Sequence, residues 1–252
     1  MSSFILSLFF IYGLFLGSFF NVVGLRVPSR QSITTGRSAC TTCLQPLSWY
    51  ELIPLCSYII QHGKCRHCHQ RIAILYPIIE LLTGSLFALS FYMLGFQYDL
   101  IGALLLSSLL VIVFVTDITY LVIPNRILLF FMPLFIIYGL FHPQFPWWSS
   151  LSGLMIGYLM IAVVILISRG GMGAGDMRLC AVLGFILGTQ NIILTFFLAC
   201  VIGAVVGVLM LIFKVIDRKQ KIPFGPYIVV AAIISYYYGQ SILEWYVGFA
   251  LK

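Results

Sequence analysis

The stretch LIGALLLSSLLVIVFVTD, residues 100–117, is an apolar run that ends in a carboxylate. No charged side chain occurs between positions 100 and 116. A helix of about 17 to 25 mainly apolar residues is long enough to cross the hydrocarbon core of a bilayer. The stretch therefore predicts a membrane-spanning helix, with Asp117 at one membrane face.

The rest of the chain has the composition of a membrane protein. Of its 252 residues, 62% are hydrophobic and 8% are charged, which is far outside the range of a soluble domain. Apolar runs can be marked at 4–25, 73–96, 100–116, 127–142, 148–167, 177–189, 191–213 and 226–249. We therefore expect an all-α polytopic membrane protein with about eight transmembrane helices. The sixth run is short, which leaves a count of seven or eight open.

The basic residues predict the orientation of these spans. With eight spans, the odd-numbered loops hold every one of the 14 lysines and arginines except Lys252. Lysine and arginine near span ends are held on the cytoplasmic side, so these loops are expected in the cytoplasm and both termini outside. A net charge of +7 can also indicate nucleic-acid binding, but orientation accounts for nearly all of it. Membrane lipid is the expected partner, and nucleic acid is not.

One loop is long enough to fold by itself. It covers residues 26–72, between a first helix at 1–25 and a helical bundle at 73–252. It contains CTTC at 40–43 and CRHC at 65–68. Two such motifs about 20 residues apart are typical of a structural zinc site of the zinc-ribbon type, with Cys40, Cys43, Cys65 and Cys68 as ligands.

Other uses of these thiols remain open. A cytoplasmic loop is reducing, which disfavours disulfides, but redox-active or simply buried thiols would show the same spacing. His67 and His69 are expected to face solvent. The remaining cysteines, at positions 56, 180 and 200, are expected to be small packing residues.

Two carboxylates stand out among the seven in the chain. Asp117 follows the third span and Asp176 opens the sixth, so both are expected at the cytoplasmic face, on helices that can pack together. Such a pair can share one proton, so that one acid stays neutral while its partner acts as a base on water, as in aspartic proteases. Glu80, within the second span, is expected either to serve a polar cavity or to hydrogen-bond across helices.

Asp176 lies in GGMGAGDMRL, residues 170–179, behind four glycines. Glycine lets backbones approach closely, so Gly170, Gly171, Gly173 and Gly175 are expected to form a cleft with room for an extended substrate. The spacing alone also fits an interfacial acid next to an ordinary glycine-rich turn. A nucleotide-binding loop is disfavoured, because the G-x-G-x-x-G spacing is absent.

Six motifs in order resemble the bacterial type IV prepilin peptidases, membrane aspartyl proteases with a G-x-G-D motif. They are FLGSFFNVVGLRVP (15–28), the segment from CTTC to CRHC (40–68), YPIIELLTG (76–84), DITYLVIPN (117–125), GMGAGDMRL (171–179) and IPFGPYIVVA (222–231). Together they cover nearly the whole chain. One departure is Arg178, where the family more often has lysine.

The resemblance implies cleavage of the leader peptide of pilin-like precursors at the cytoplasmic side of the bacterial inner membrane. Asp117 and Asp176 would be the catalytic pair. In many members the new N-terminus is then methylated with S-adenosylmethionine, and the zinc loop is implicated in that step. Pilins and the pseudopilins of secretion and competence systems are all processed by the family, so the precursor class stays open.

Three other functions remain to be weighed. The protein can be a peptidase without methyl transfer. A proton-coupled transporter would also keep carboxylates in a polytopic bundle, but it would favour midplane sites and internal repeats, and no convincing repeat is found. A membrane assembly factor without catalysis would use the zinc loop for docking and would leave the aspartate pair without a role.

Overall fold

The computed structural model describes residues 2–34, 36–141, 146–168, 171–214 and 222–250. Within these ranges the chain is helical, and the only β pairing consists of two isolated bridges in the cysteine loop. The predicted all-α fold is therefore confirmed for the described residues. Gly170, the first glycine of the expected cleft, lies outside them, as do the basic residues Arg169, Arg218, Lys219, Lys221 and Lys252.

The described helices follow the apolar runs of the sequence. They are α1 (Ser2–Arg26), α2 (Cys56–Ile60), α3 (Leu75–Leu94), α4 (Tyr98–Tyr120), α5 (Asn125–Phe141), α6 (Trp147–Ile167), α7 (Ala174–Ile212) and α8 (Gly225–Ala250), with a 3-10 turn at Trp49–Leu52. Five of them, α1, α3, α4, α6 and α7, are long and apolar enough to cross a membrane, and the shorter α5 is apolar as well. The polytopic membrane class is thereby confirmed, while the exact number of crossings stays a prediction.

Helix α7 contains both the sixth and the seventh predicted spans, and its path is broken at Gly188. This glycine has φ 75° and ψ 175°, a conformation that residues with a side chain rarely adopt. A Cβ atom placed on Gly157 of α6 would contact Cys180 before the break and Ile192 after it. In a straight helix those two residues would be about 18 Å apart. The chain therefore turns back at Gly188, and the two halves of α7 run antiparallel.

Facing glycines bring α6 against the first half of α7. A Cβ on Gly153 would contact the carbonyl oxygen of Gly184, and a Cβ on Gly184 would contact that of Gly153. Small residues allow this close approach between membrane helices. Just after the turn, Thr189 Oγ1 donates to the Ser149 carbonyl at 3.2 Å and lies 2.6 Å from Ser152 Oγ. These hydrogen bonds fix the turn to the first residues of α6.

The chain forms two compact units, residues 1–115 and 116–252. In the first unit, α1 and α3 run antiparallel, since Gly13 lies against Gly84 while Gly17 lies against Glu80. This pairing brings the end of α1 and the start of α3 to the same side, where the cysteine loop joins them.

In the second unit, α8 runs antiparallel to the second half of α7. Gly203 faces Tyr227 and Gly239 faces Asn191, so positions twelve residues apart on one helix match positions twelve apart on the other. The start of α8 is thereby placed beside the later part of α7.

Candidate active site

Asp117 is buried in the last turn of α4. Its Oδ2 accepts a hydrogen bond of 2.8 Å from the backbone N–H of Gly225, the first residue of α8. A Cβ atom on Gly225 would lie 2.6 Å from the same oxygen, so a larger residue there would push the carboxylate away. The helix ends three residues later at Tyr120, and Pro124 directly precedes α5.

Asp176 is also buried, in the first turn of α7. Its Oδ2 accepts the backbone N–H of Gly173 at 3.2 Å, across the start of the helix. An acidic residue that reaches back in this way supplies a partner for one of the unpaired amides of a helix N-terminus. The position therefore has a structural use of its own, from which any chemical role must be separated by experiment.

Both aspartates lie at helix ends of one compact unit, near enough for the charge of Asp117 to act on Asp176. A Cβ atom on Gly175 would lie 3.0 Å from Ile123 Cβ, so the start of α7 touches the segment that follows α4. At Gly175 the expected role of glycine, a close approach of two backbone segments, is observed.

A hydrogen bond joins the two motifs that carry the aspartates. Arg178 Nη1 donates to Asn125 Oδ1 at 2.6 Å. Arg178 lies in the first turns of α7, and Asn125 is the first residue of α5. A basic side chain at position 178 thus holds the start of α7, which carries Asp176, to the start of α5.

The four cysteines of the predicted zinc site form one cluster. Their Sγ atoms all lie within 4.8 Å of one another, with 3.8 Å between Cys40 and Cys68 and 4.0 Å between Cys43 and Cys65. Sulfur atoms around a tetrahedral zinc ion, each at about 2.3 Å from the metal, are about 3.8 Å apart. The cluster can therefore hold a metal ion. The side chains of His67 and His69 are exposed and lie outside it, as expected.

Both C-x-x-C motifs have the same local conformation. The amide of Leu44 donates to the Cys40 carbonyl, and the amide of His69 donates to the Cys65 carbonyl. Leu44 and His69 both take positive φ angles, of 57° and 56°. Each motif is thus a tight turn that points two thiols in one direction, and the loop brings the two turns face to face.

The thiols do not ionise equally. Backbone N–H groups of Cys43 and Thr42 point to Cys40 and lower its pKa to about 6. The Gln70 amide acts to lower the pKa of Cys68, but desolvation and hydrogen bonds with the other three thiols outweigh it and raise that pKa to about 11. Cysteine binds a metal ion as the thiolate and not as the thiol. A bound cation would therefore keep all four sulfurs ionised at neutral pH.

Glu80 connects the cysteine loop to the membrane helices. It is buried in α3, and its Oε2 accepts the backbone N–H of Leu55 at 2.9 Å. Gly17 of α1 lies against the backbone of Glu80. The observed hydrogen bond joins Glu80 to the loop and not to another helix, and the sequence did not predict this contact.

The other cysteines behave as expected with one exception. Cys180 is buried and Cys200 is partly buried, in keeping with packing roles. Cys56 is exposed, so its interpretation as a packing residue is wrong. It begins α2, a helix of only five residues, none of which is buried.

Comparisons with known proteins give a consistent result. The family model described as "Bacterial Peptidase A24 N-terminal domain" matches residues 11–94, and the one described as "Type IV leader peptidase family" matches residues 104–208. The chain is 42% identical over 246 residues to the prepilin leader peptidase/N-methyltransferase of Bacillus subtilis, which covers 98% of this chain and 99% of that protein. The chain belongs to the type IV leader peptidase family.

Another relative in the type IV leader peptidase family is the protein of the same name from Pseudomonas aeruginosa. It is 32% identical, over 94% of this chain and 92% of its own length. The protein of the same name from Xanthomonas campestris is also 32% identical, over 94% of this chain and 93% of its own length. No solved structure matches the chain.

Gly225 contacts Asp117, and the sequence did not single it out. The two matched ranges hold the four cysteines and both aspartates, whereas Gly225 lies beyond residue 208, where the second match ends. The motif at 222–231 includes Gly225, but its sequence does not indicate a contact with Asp117. The hydrogen bond to Asp117 joins residues 108 positions apart, a distance over which local patterns carry no signal.

Proposed function

We propose that this protein cleaves the leader peptide of prepilin or pseudopilin precursors and methylates the N-terminus that cleavage creates. The observation that carries the peptidase part is that two buried carboxylates, Asp117 and Asp176, lie at helix ends of one compact unit whose segments meet at Gly175 and Ile123. The names of the relatives, prepilin leader peptidase/N-methyltransferase, support both activities.

The two aspartates act as a coupled acid and base. Each uses Oδ2 to accept a backbone N–H, from Gly225 or from Gly173, which fixes its orientation. Adjacent carboxylates at a catalytic site share one proton, because two neighbouring negative charges repel each other. The ionised member takes a proton from the attacking water, and the protonated member donates its proton to the carbonyl oxygen of the scissile peptide. As the tetrahedral intermediate collapses, the aspartate that took the proton of the water gives it to the departing amine, and the other aspartate regains its proton from a hydroxyl of the intermediate.

Methyl transfer is assigned to the part of the chain that contains the cysteine loop, residues 26–72, between a first helix at 1–25 and a peptidase bundle at 73–252. S-adenosylmethionine is the proposed methyl donor. Zinc is the proposed metal, held by the four clustered thiolates. A site with four protein ligands has no open position, so the metal would be structural.

We place the protein in the bacterial inner membrane with its active site toward the cytoplasm. The support is the distribution of lysine and arginine, because the odd-numbered loops, which include the cysteine loop and the loops next to both aspartates, hold 13 of the 14. Prepilin-type precursors and membrane lipid are the proposed partners, and no nucleic-acid partner is proposed.

One experiment tests the activity and the orientation together. Full-length protein is prepared in inverted and in right-side-out membrane vesicles, and a precursor peptide with its leader and labelled S-adenosylmethionine are added outside. We expect cleavage and methyl incorporation in inverted vesicles, in which the cytoplasmic face is exposed, and neither in intact right-side-out vesicles. Cleavage only in right-side-out vesicles would reverse the orientation. Absence of cleavage in both, and in detergent, would reject the peptidase.

The contact between Gly225 and Asp117 gives a second prediction. Changing Gly225 to alanine places a methyl group against the Asp117 carboxylate and should slow leader cleavage by about 100-fold, the effect of moving a catalytic group by about 1 Å. The matched control is Gly207→Ala, because a Cβ there has no neighbour within 4 Å. Initial cleavage rates are compared at equal amounts of folded protein. Equal rates for the two variants would show that Gly225 does not position Asp117.

A further inference from the structure

We propose that residues 49–60 of the cysteine loop lie in the membrane leaflet beside α1 and α3 and bind anionic lipid there. This segment consists of the 3-10 turn Trp49–Leu52 and helix α2, which pack against each other. Its most exposed side chains are large and apolar, with Trp49 79%, Ile59 68% and Ile60 76% accessible. Such a concentration of exposed apolar surface marks a site of interaction.

The depth of the segment follows from the Glu80 contact. Helix α3 has 20 residues and is about 30 Å long, which is the thickness of the hydrocarbon core. Glu80 lies about 7.5 Å inside the helix from Leu75. Because Glu80 accepts the backbone N–H of Leu55, this part of the loop lies deeper in the membrane than the first residue of α3.

Helix α1 gives an independent estimate of the same depth. Gly17, which lies against the backbone of Glu80, is about 13.5 Å inside the end of α1 at Arg26. Both helices therefore place the Glu80 carboxylate within the membrane-spanning length of the first unit. A loop segment tied to this carboxylate lies beside lipid rather than out in the cytoplasm.

The backbone of the segment is suited to that environment. Non-helical backbone in the hydrocarbon region must be covered by protein, so the segment lies at the interfacial edge of the leaflet with its backbone polar groups paired. The amide of Leu55 is bound by Glu80, and that of Ser48 is bound by Glu51 Oε2 at 2.8 Å. Further amides donate to nearby carbonyl groups of the loop, namely those of Glu51, Ile53, Cys56, Ser57 and Ile59.

The segment itself has no lysine or arginine, but the loop around it is basic, which favours an anionic lipid. Residues 26–72 contain six lysines and arginines and a single acid, Glu51, which is buried. The net charge is therefore +5, and four thiolates with a divalent metal would still leave +3. A positive surface next to the membrane attracts anionic headgroups.

Tyr50 and Arg66 mark the level of the headgroups. The Arg66 guanidinium lies 5.8 Å from the centre of the Tyr50 ring and donates to its hydroxyl at 3.1 Å. Tryptophan and tyrosine are enriched at the membrane interface, with their polar ends toward water. Trp49 and Tyr50 pack edge to face, so the segment presents an aromatic pair with a cation beside it.

The test uses the full-length protein in nanodiscs of phosphatidylglycerol and phosphatidylcholine. A photo-crosslinking benzoylphenylalanine replaces Ile60 in one variant and Trp49 in a second. In a control variant it replaces Gln70, an exposed residue of the same loop outside the segment. Intact-mass spectrometry then counts phospholipid adducts. We expect adducts at positions 49 and 60 to exceed those at position 70 several-fold, and to increase with the fraction of phosphatidylglycerol.

Two results would overturn the proposal. One is lipid labelling at positions 49 and 60 no higher than at position 70. The other is a shift of the crosslink from lipid to precursor peptide when that peptide is added, which would make the segment a substrate surface. Metal content and thermal stability of each variant are measured first, so that only folded protein is compared.

Discussion

Replacing Asp117 or Asp176 with asparagine should slow leader cleavage by about 1,000-fold or more, while the protein still inserts and accumulates. Asparagine is nearly the same size as aspartate, and its carbonyl oxygen can still accept the N–H of Gly225 or of Gly173. Only the ability to hold and release a proton is lost. The substitution therefore separates the chemical role of each residue from its role as a hydrogen-bond acceptor.

The control for this pair is Glu244→Gln, which removes an exposed carboxylate from α8 by the same change of chemistry. Initial rates of leader cleavage and melting temperatures in detergent are measured for all three variants. Near-normal cleavage by either asparagine variant would remove that aspartate from the mechanism and leave it as a structural acceptor. A large loss in Glu244→Gln would show that the assay reports stability and not chemistry.

Replacing Cys68 with serine should remove most of the bound zinc and destabilise residues 26–72. The four sulfur atoms lie within one coordination sphere, so the loss of one thiolate weakens the whole site. Binding of structural zinc contributes about 10 to 16 kcal/mol in zinc-finger peptides, and that energy stabilises the fold. Methyl transfer should fall further than cleavage, because both aspartates lie in the other compact unit, residues 116–252.

The matched control is Cys56→Ser, since Cys56 is an exposed cysteine of the same loop outside the cluster. Zinc content is measured by mass spectrometry, loop stability by hydrogen exchange, and the two activities by leader cleavage and methyl incorporation. Full zinc occupancy in Cys68→Ser would reject the ligand assignment. Equal loss of both activities in a well-folded variant would reject the separation of methyl transfer from cleavage.

The sequence by itself determined the helices and the cysteine cluster, because both depend on local features. A run of apolar residues in a bilayer must satisfy its backbone internally and so becomes a helix. For this reason α3, observed at Leu75–Leu94, lies close to its predicted span of 73–96. The two C-x-x-C motifs likewise carry their turn conformation within five residues each.

Local pattern was less reliable where a helix continues past its apolar run. The third span was expected to end at residue 116, but α4 continues to Tyr120 and holds Asp117 inside its last turn. Apolar residues mark what lies in lipid, whereas helical hydrogen bonding continues until a residue such as Leu121, with φ 55°, leaves the helical conformation. The carboxylate is therefore held by a rigid element and not by a loop.

Only the tertiary structure decided which distant residues became partners. Gly225 with Asp117 and Leu55 with Glu80 are pairs of a carboxylate and a backbone amide, and every residue except proline offers such an amide. The side chain at the donor position therefore does not identify the partner, although Gly225 must lack one to come this close to Asp117. Helix packing selects the partner, because it determines which backbone N–H comes within reach of a buried carboxylate that must be satisfied.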